Sequence, residues 1–241
     1  GIQPGTLEIL NARLSDNNPV YTDMLYARLQ RDGYLKRDAQ RLVNQDRNVF
    51  GCCMLKNGDA DGMVTGVTRN YDVALNDSLL VLDPIPGQAI IGMSMVINRG
   101  RTVFIADTSV TELPQGEDLA NIAIEAARGV RSLGFSPRVA FLSYSTFGNP
   151  MGERGEKVRD AVAILDGMKD IDFEYEGDMS ADVALNTSHK LLYPFSRLTG
   201  PANVLVMPAI HAASISTKLL ESMSRATVIG PMLLGLEKPV Q

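Results

Sequence analysis

The spacing of apolar and polar residues changes character along the chain. From Pro19 to Asn44 apolar side chains recur at helical intervals among Arg, Asp and Gln, with Tyr21, Leu25, Leu29 and Leu35 on the apolar side. That pattern predicts helices, and Gly33 is the natural break between two of them. Val49–Leu55 is apolar, Met63–Val67 reads as a short strand, and Val73–Leu82 as a helix stopped by Pro84 and Pro86. Beyond Gly87 the pattern becomes that of a layered α/β sheet. Ala89–Ile97 and Thr102–Ala106 read as strands of a hairpin turning at Arg99-Gly100. Glu117–Leu133 carries apolar residues at 119, 122, 126, 130 and 133 and reads as a helix between Pro114 and Gly134. Val139–Ser143 is a buried-strand candidate, followed by a helix carrying Val158, Ala161, Val162 and Leu165. Asn203–Met207 is a further strand, Thr217–Met223 a helix and Thr227–Ile229 a last strand. Alternating strands and helices predict an α/β fold. The helical opening and strand-led remainder predict two lobes, 1–88 and 89–237, with 238–241 returning toward the first.

Composition narrows the function. With 241 residues and 45% hydrophobic content the chain can build a substantial core. A net charge of −5 without a basic tail argues against nucleic acid as partner. No run is long and apolar enough for a membrane span, and no leader peptide is expected, although the chain begins at Gly1. Cys52 and Cys53 are adjacent, which is neither a disulfide framework nor metal spacing, so a cytoplasmic setting is expected.

Candidate chemistry gathers where strands end. The loop Tyr144–Pro150 lies between a strand and a helix, the place where open α/β sheets bind ligands and where free amides favour anions. Ser143, Ser145, Thr146 and Gly148 suit a phosphate or an acyl oxyanion there; the same hydroxyls would also serve as ordinary helix caps. Asp107 ends another strand, as an orienting acceptor or a local cap. Ser214 follows a third strand. Arg69 is a candidate phosphate clamp or a plain surface arginine. Asn57, Asp59, Asp61 and Gly62 fit the start of a calcium loop, but Thr68 stands where its bidentate glutamate belongs, so no metal is expected. Only His189 and His211 are available for a triad, no Gly-x-Ser-x-Gly elbow or P-loop is present, and no dinucleotide fingerprint is found. Positioning and oxyanion stabilisation by loop groups is the better template.

Several motifs in order then carry a resemblance: Gly58–Gly66, Ala106-Asp107-Thr108, Leu142–Thr146, Gly177–Asp182, Gly200–Pro208 and Gly230–Val240. Together they resemble the phosphate acetyl/butyryl transferase family over nearly the whole chain. Arg41–Phe50, Thr65–Tyr71, Ser145–Pro150 and His211–Lys218 are most similar to the carboxyl-terminal domain of bacterial bifunctional NADP-dependent malic enzymes. The resemblance implies a two-lobed α/β/α sandwich like that of isocitrate and isopropylmalate dehydrogenases, a homodimer or higher homo-oligomer, and acetyl-CoA or CoA as ligand or substrate with no intrinsic cofactor. It also implies a malic enzyme catalytic domain as partner in the parent chain. In the family, acetyl passes between CoA and phosphate while arginines hold the phosphate. The chain departs from that pattern. The family's Leu-Ser-Arg-Gly motif and catalytic aspartate would follow Lys238-Pro239-Val240, so no catalytic residue carries over. Asn76 stands where a second arginine is expected, and Arg28 lies within one residue of a third. The first lobe is expected to be truncated. Two readings follow: an acetyl-CoA-sensing regulatory module with weakened or lost acyl transfer, and an active phosphate acetyltransferase.

Overall fold

The computed structural model describes residues 6–241, apart from the side chains of 153 and 154. The chain divides into two compact units, one running up to Asp83 and taking in Leu236–Gln241, the other Pro84–Gly235.

The first unit is helical: α1 (Asn18–Leu29), α2 (Lys36–Gln45), α3 (Arg47–Asn57) and α4 (Tyr71–Leu79). α1 carries Pro19 in its first turn, where a fixed φ and a missing N–H are suited, and buries Tyr21, Leu25 and Leu29 one turn apart. Gly33 separates α1 and its short 3-10 extension from α2 with φ 87°, a conformation glycine adopts at little cost. Asp46 caps α3 by accepting from the amides of Asn48 and Val49. The run Met63–Val67 forms no strand. A short parallel pairing with the 239–241 segment forms instead, in which the Met63 and Thr65 amides donate to the Pro239 and Gln241 carbonyls and the Gln241 amide to the Met63 carbonyl, before φ values of 119° at Gly66 and 63° at Val67 turn the chain away. α4 ends at Leu79, not Leu82, where the Arg28 guanidinium takes the carbonyls of Leu79, Leu80 and Leu82. Lys56 binds both Asp83 and Glu237, which holds the 236–241 segment to this unit.

The second unit is a six-stranded mixed sheet in the order β4-β3-β5-β2-β1-β6. β1 (Ile91–Asn98) and β2 (Arg101–Ala106) form the expected hairpin, turning through Arg99 and Gly100, both at positive φ. β2, β3 (Arg138–Leu142), β4 (Glu174–Met179) and β5 (Val204–Val206) run parallel, and β6 (Thr227–Leu234) pairs antiparallel with β1. α5 (Gly116–Ser132) and α6 (Glu153–Gly167) cover one face, where Leu119, Ile122, Val130, Val158 and Leu165 pack on Phe104, Val139, Phe141 and Val204. Each such large side chain contributes about 1.5–3 kcal/mol on burial. The short helices α7 (Ala181–Ala184) and α8 (His189–Leu192) and the longer α9 (Ile210–Ser224) serve the opposite face. α9 starts seven residues before the expected Thr217, as Ala213 packs against the sheet and the Thr217 hydroxyl bonds back to the Ala213 carbonyl. Among the described residues no helix is long and apolar enough to cross a membrane.

Candidate functional site

Because β2, β5, β3 and β4 run parallel, their carboxyl ends share one edge of the sheet. The strand order puts the ends of β2 and β3 on either side of β5, roughly 10 Å apart. Asp107 therefore stands beside the β5–α9 connection, where the Met207 amide donates to the Ala106 carbonyl at 2.7 Å. Ser214, half-buried in the second turn of α9, and Ser145, beyond β3, lie at the same edge.

The loop after β3 is organised by a residue the sequence did not single out. Asp178, fully buried at the end of β4, accepts through Oδ1 from the Gly148 amide at 2.9 Å and through Oδ2 from the Ser145 hydroxyl. Its carbonyl accepts from the Phe147 amide at 2.7 Å. Thr146 and Asn149 exchange both backbone hydrogen bonds, at 3.0 and 3.1 Å, around Phe147 (φ 50°) and Gly148 (φ 82°). This is a two-residue turn of the I′ type. Thr146 Oγ1 donates to Ser180 Oγ and accepts from the Ser180 amide. Arg159 of α6 brings Nη1 to 3.6 Å from Asp178 Oδ2, supplying the nearest positive charge. Gly155 roofs the cluster: a Cβ there would lie 3.2 Å from Ser145 Oγ and 3.0 Å from Arg159 Nη1.

Thus Ser145, Thr146 and Gly148 are brought together, but their hydroxyls and the Gly148 amide point inward to Asp178 and Ser180. Ser145 is 1% exposed. A ligand at this edge meets the outer rim of the loop, including half-buried Ser143, rather than a cradle of free donors. Asp107 is likewise engaged. Its carboxylate accepts from the amides of Gly92, Ser109, Val110 and Thr111, so it shapes the loop after β2 as a local cap.

In the first unit, Arg69 Nη1 is held between Asp46 at 2.5 Å and Asp77 at 2.7 Å. Arg28 bonds Asp83 at 2.6 Å and spends its remaining nitrogens on carbonyls at the end of α4. Both arginines act as clamps between helices. Arg28, Asp32, Tyr34, Asn76 and Asp77 line a cleft of about 630 Å³ within this unit. Asp59 of the calcium-like loop takes a hydrogen bond from the Tyr21 hydroxyl, and burial, with that bond's help, pushes the Tyr21 pKa up to about 12. Burial raises the Cys52 and Cys53 thiols to about 11 and 12, so neither is a thiolate at neutral pH. Among the described residues no three His, Cys, Asp or Glu side chains gather as a metal site.

The second unit is thus a mixed α/β domain with hydroxyl-bearing loops along the carboxyl edge of its parallel strands. The chain belongs to the phosphate acetyl/butaryl transferase family, whose model matches residues 1–241. It is 59% identical to an NADP-dependent malic enzyme of Rhizobium meliloti over 98% of the chain and 31% of that protein, so it spans about a third of such relatives. It is 31% identical to a phosphate acetyltransferase of Thermoanaerobacterium thermosaccharolyticum, covering all of this chain and 75% of that one. Among solved structures it superposes on the EutD phosphotransacetylase of Staphylococcus aureus with a TM-score of 0.87 at 26% identity, covering 100% of this chain and 74% of that one. A phosphotransacetylase of Streptococcus pyogenes gives a TM-score of 0.87 at 28% identity, covering 96% and 71%.

Proposed function

We propose that the chain is an acyl-CoA-binding domain of a cytoplasmic malic enzyme, which senses acetyl-CoA and has weakened or lost acyl transfer. The observation that carries this reading is the engagement of its arginines. Arg28 and Arg69 are tied to Asp83, Asp46 and Asp77, and Asn76 stands where the family resemblance calls for a further arginine. Loss of one group that stabilises developing charge costs about 100- to 1,000-fold in rate. Binding energy spread along a CoA molecule survives such a loss, and acetyl-CoA abundance is a sensible brake on malate oxidation in a fused catalytic domain. The fold of the complete protein is read as a two-lobed α/β/α sandwich of the isocitrate dehydrogenase kind.

Self-association fits the exposed face of α9. Ile215, Leu219 and Met223 lie one turn apart and are 58%, 52% and 82% exposed, with Leu220 adjoining them on the same helix. Unpartnered apolar area of this extent on a soluble protein marks an interface.

The test is thioester formation from CoA and acetyl phosphate. The sensor reading expects a rate far below an ordinary enzymatic turnover of about ten per second. Turnover at that rate would replace it with the active phosphate acetyltransferase.

A further inference from the structure

Three aromatic rings cluster at the far end of the candidate site. Phe147, at the tip of the Asp178-bound turn, meets Phe195 at 4.8 Å between centroids and Tyr193 at 5.1 Å, all in tilted or edge-to-face geometry. Tyr193 and Phe195 belong to the strap between α8 and β5, and lie 6.1 Å apart. Phe195 is 66% exposed. Edge-to-face contacts use the rim of one ring and leave the face of another open.

Two features indicate that the rings are placed rather than merely left outside. Phe147 sits at φ 50° in the first central position of a I′ turn, where Asn, Asp and Gly are at ease and a bulky side chain is strained. Strain of that kind gathers at functional sites. The strap is also fixed from within. His189, 1% exposed, bonds the Asn186 carbonyl through Nδ1 at 3.1 Å and Ser196 Oγ through Nε2 at 3.4 Å, which pins the segment carrying Tyr193 and Phe195. The Phe147 amide is held by the Asp178 carbonyl. Rings immobilised on both sides lose little freedom when a ligand docks.

We propose that Phe147, Tyr193 and Phe195 form a stacking platform for the adenine ring of the CoA nucleotide, an assignment that rests on the acyl-CoA reading above. Phe195 supplies the open face, and Phe147 and Tyr193 fix its angle. The chemistry selects a flat heteroaromatic base, and it leaves the thioester end to the loops nearer β5 and β2. Stacking of a base on one aromatic face changes affinity about tenfold.

The test titrates acetyl-CoA and acetyl-pantetheine, which lacks the nucleotide, into the full-length protein and its Phe195→Ala and Phe195→Trp variants. Phe195 is exposed, so the alanine variant should keep its fold and melting temperature. Phe195→Ala is expected to weaken acetyl-CoA about tenfold, to leave acetyl-pantetheine unchanged, and to weaken competition by adenosine 3′,5′-bisphosphate by the same factor as acetyl-CoA. Phe195→Trp should restore binding. Acetyl-CoA affinity equal in wild type and Phe195→Ala overturns the platform alone, as does an equal loss for both thioesters. A changed oligomeric state with unchanged affinity overturns it in favour of a protein-docking role for the strap. No binding of acetyl-CoA by wild type removes the acyl-CoA reading, and the platform falls with it.

Discussion

Replacing Asp178 with alanine perturbs the candidate site at its most connected atom. The carboxylate is fully buried, accepts from Ser145 and Gly148, and has Arg159 at 3.6 Å. The substitution removes the acceptor of the half-buried Gly148 amide and of the buried Ser145 hydroxyl, which keeps Ser143 Oγ at 3.0 Å, and an unmet buried donor costs about 1–3 kcal/mol. It also leaves the Arg159 Nη1, already without a hydrogen-bond acceptor, with no opposing charge. Against this stands the relief of no longer burying a carboxylate. The net expectation is about 3–5 kcal/mol of destabilisation, the range for breaking a buried pair from one side. Asp178→Asn keeps an acceptor for Gly148 and lets the Ser145 hydroxyl turn round, so it should cost about 1–2 kcal/mol. Urea unfolding of the two variants, with the m-value checked for constancy, reads both quantities. In a double-mutant cycle with Ser145→Ala the coupling should be about 1–3 kcal/mol. Stability of Asp178→Ala within about 0.5 kcal/mol of wild type, the range of an ordinary surface change, would refute the account of how this loop is held.

Arg69→Met should destabilise the first unit by about 2–4 kcal/mol, because Asp46 and Asp77 are left facing each other with side chains only 17% and 16% exposed; thermal melts that match wild type would mean the clamp contributes nothing. The hydrogen bond from Arg28, opposed by burial and aided by Lys56, holds Asp83 below the usual carboxylate range. A group with a depressed folded pKa lends stability above its unfolded value of about 4, and that stability is lost as the pH falls through the lower folded value; Arg28→Met should flatten this acid limb in unfolding curves. Cys52 and Cys53, both fully buried and with raised pKa values, should resist iodoacetamide in the native protein at pH values of about 8 and react fully in urea; rapid native labelling would contradict their placement.

What was legible in the sequence followed from periodicity and turn chemistry. The Arg99-Gly100 hairpin, the α5 stripe from Leu119 to Val130 and the buried Val139 strand were readable because each satisfies a local rule in full. β4 was not. Its acids Glu174, Glu176 and Asp178 alternate along the strand and look solvent-exposed, yet Glu176 is paired with Arg197 and Asp178 with the Ser145 loop, partners distant in sequence. Met63–Val67 was readable only in part: Met63 and Thr65 pair with the 239–241 segment, and Gly66 and Val67 then turn the chain before the pairing can lengthen into a strand. At the site, the clustering of Asp107, Ser145 and Ser214 regions along one sheet edge followed from strand order. The inward direction of the hydroxyls did not, since a side chain's hydrogen-bond partner is set by tertiary contacts. The signal for Asp178 lay in Gly177-Asp178-Met179-Ser180, a motif visible beforehand but without a partner until β3 and β4 were paired.

Calorimetric titration of acetyl-CoA into the full-length protein tests the central claim most directly. The account predicts saturable binding with one site per chain, and little or no acetyl phosphate formed when phosphate is then added. Heats indistinguishable from dilution up to about 1 mM ligand, a limit of about −4 kcal/mol, would contradict it.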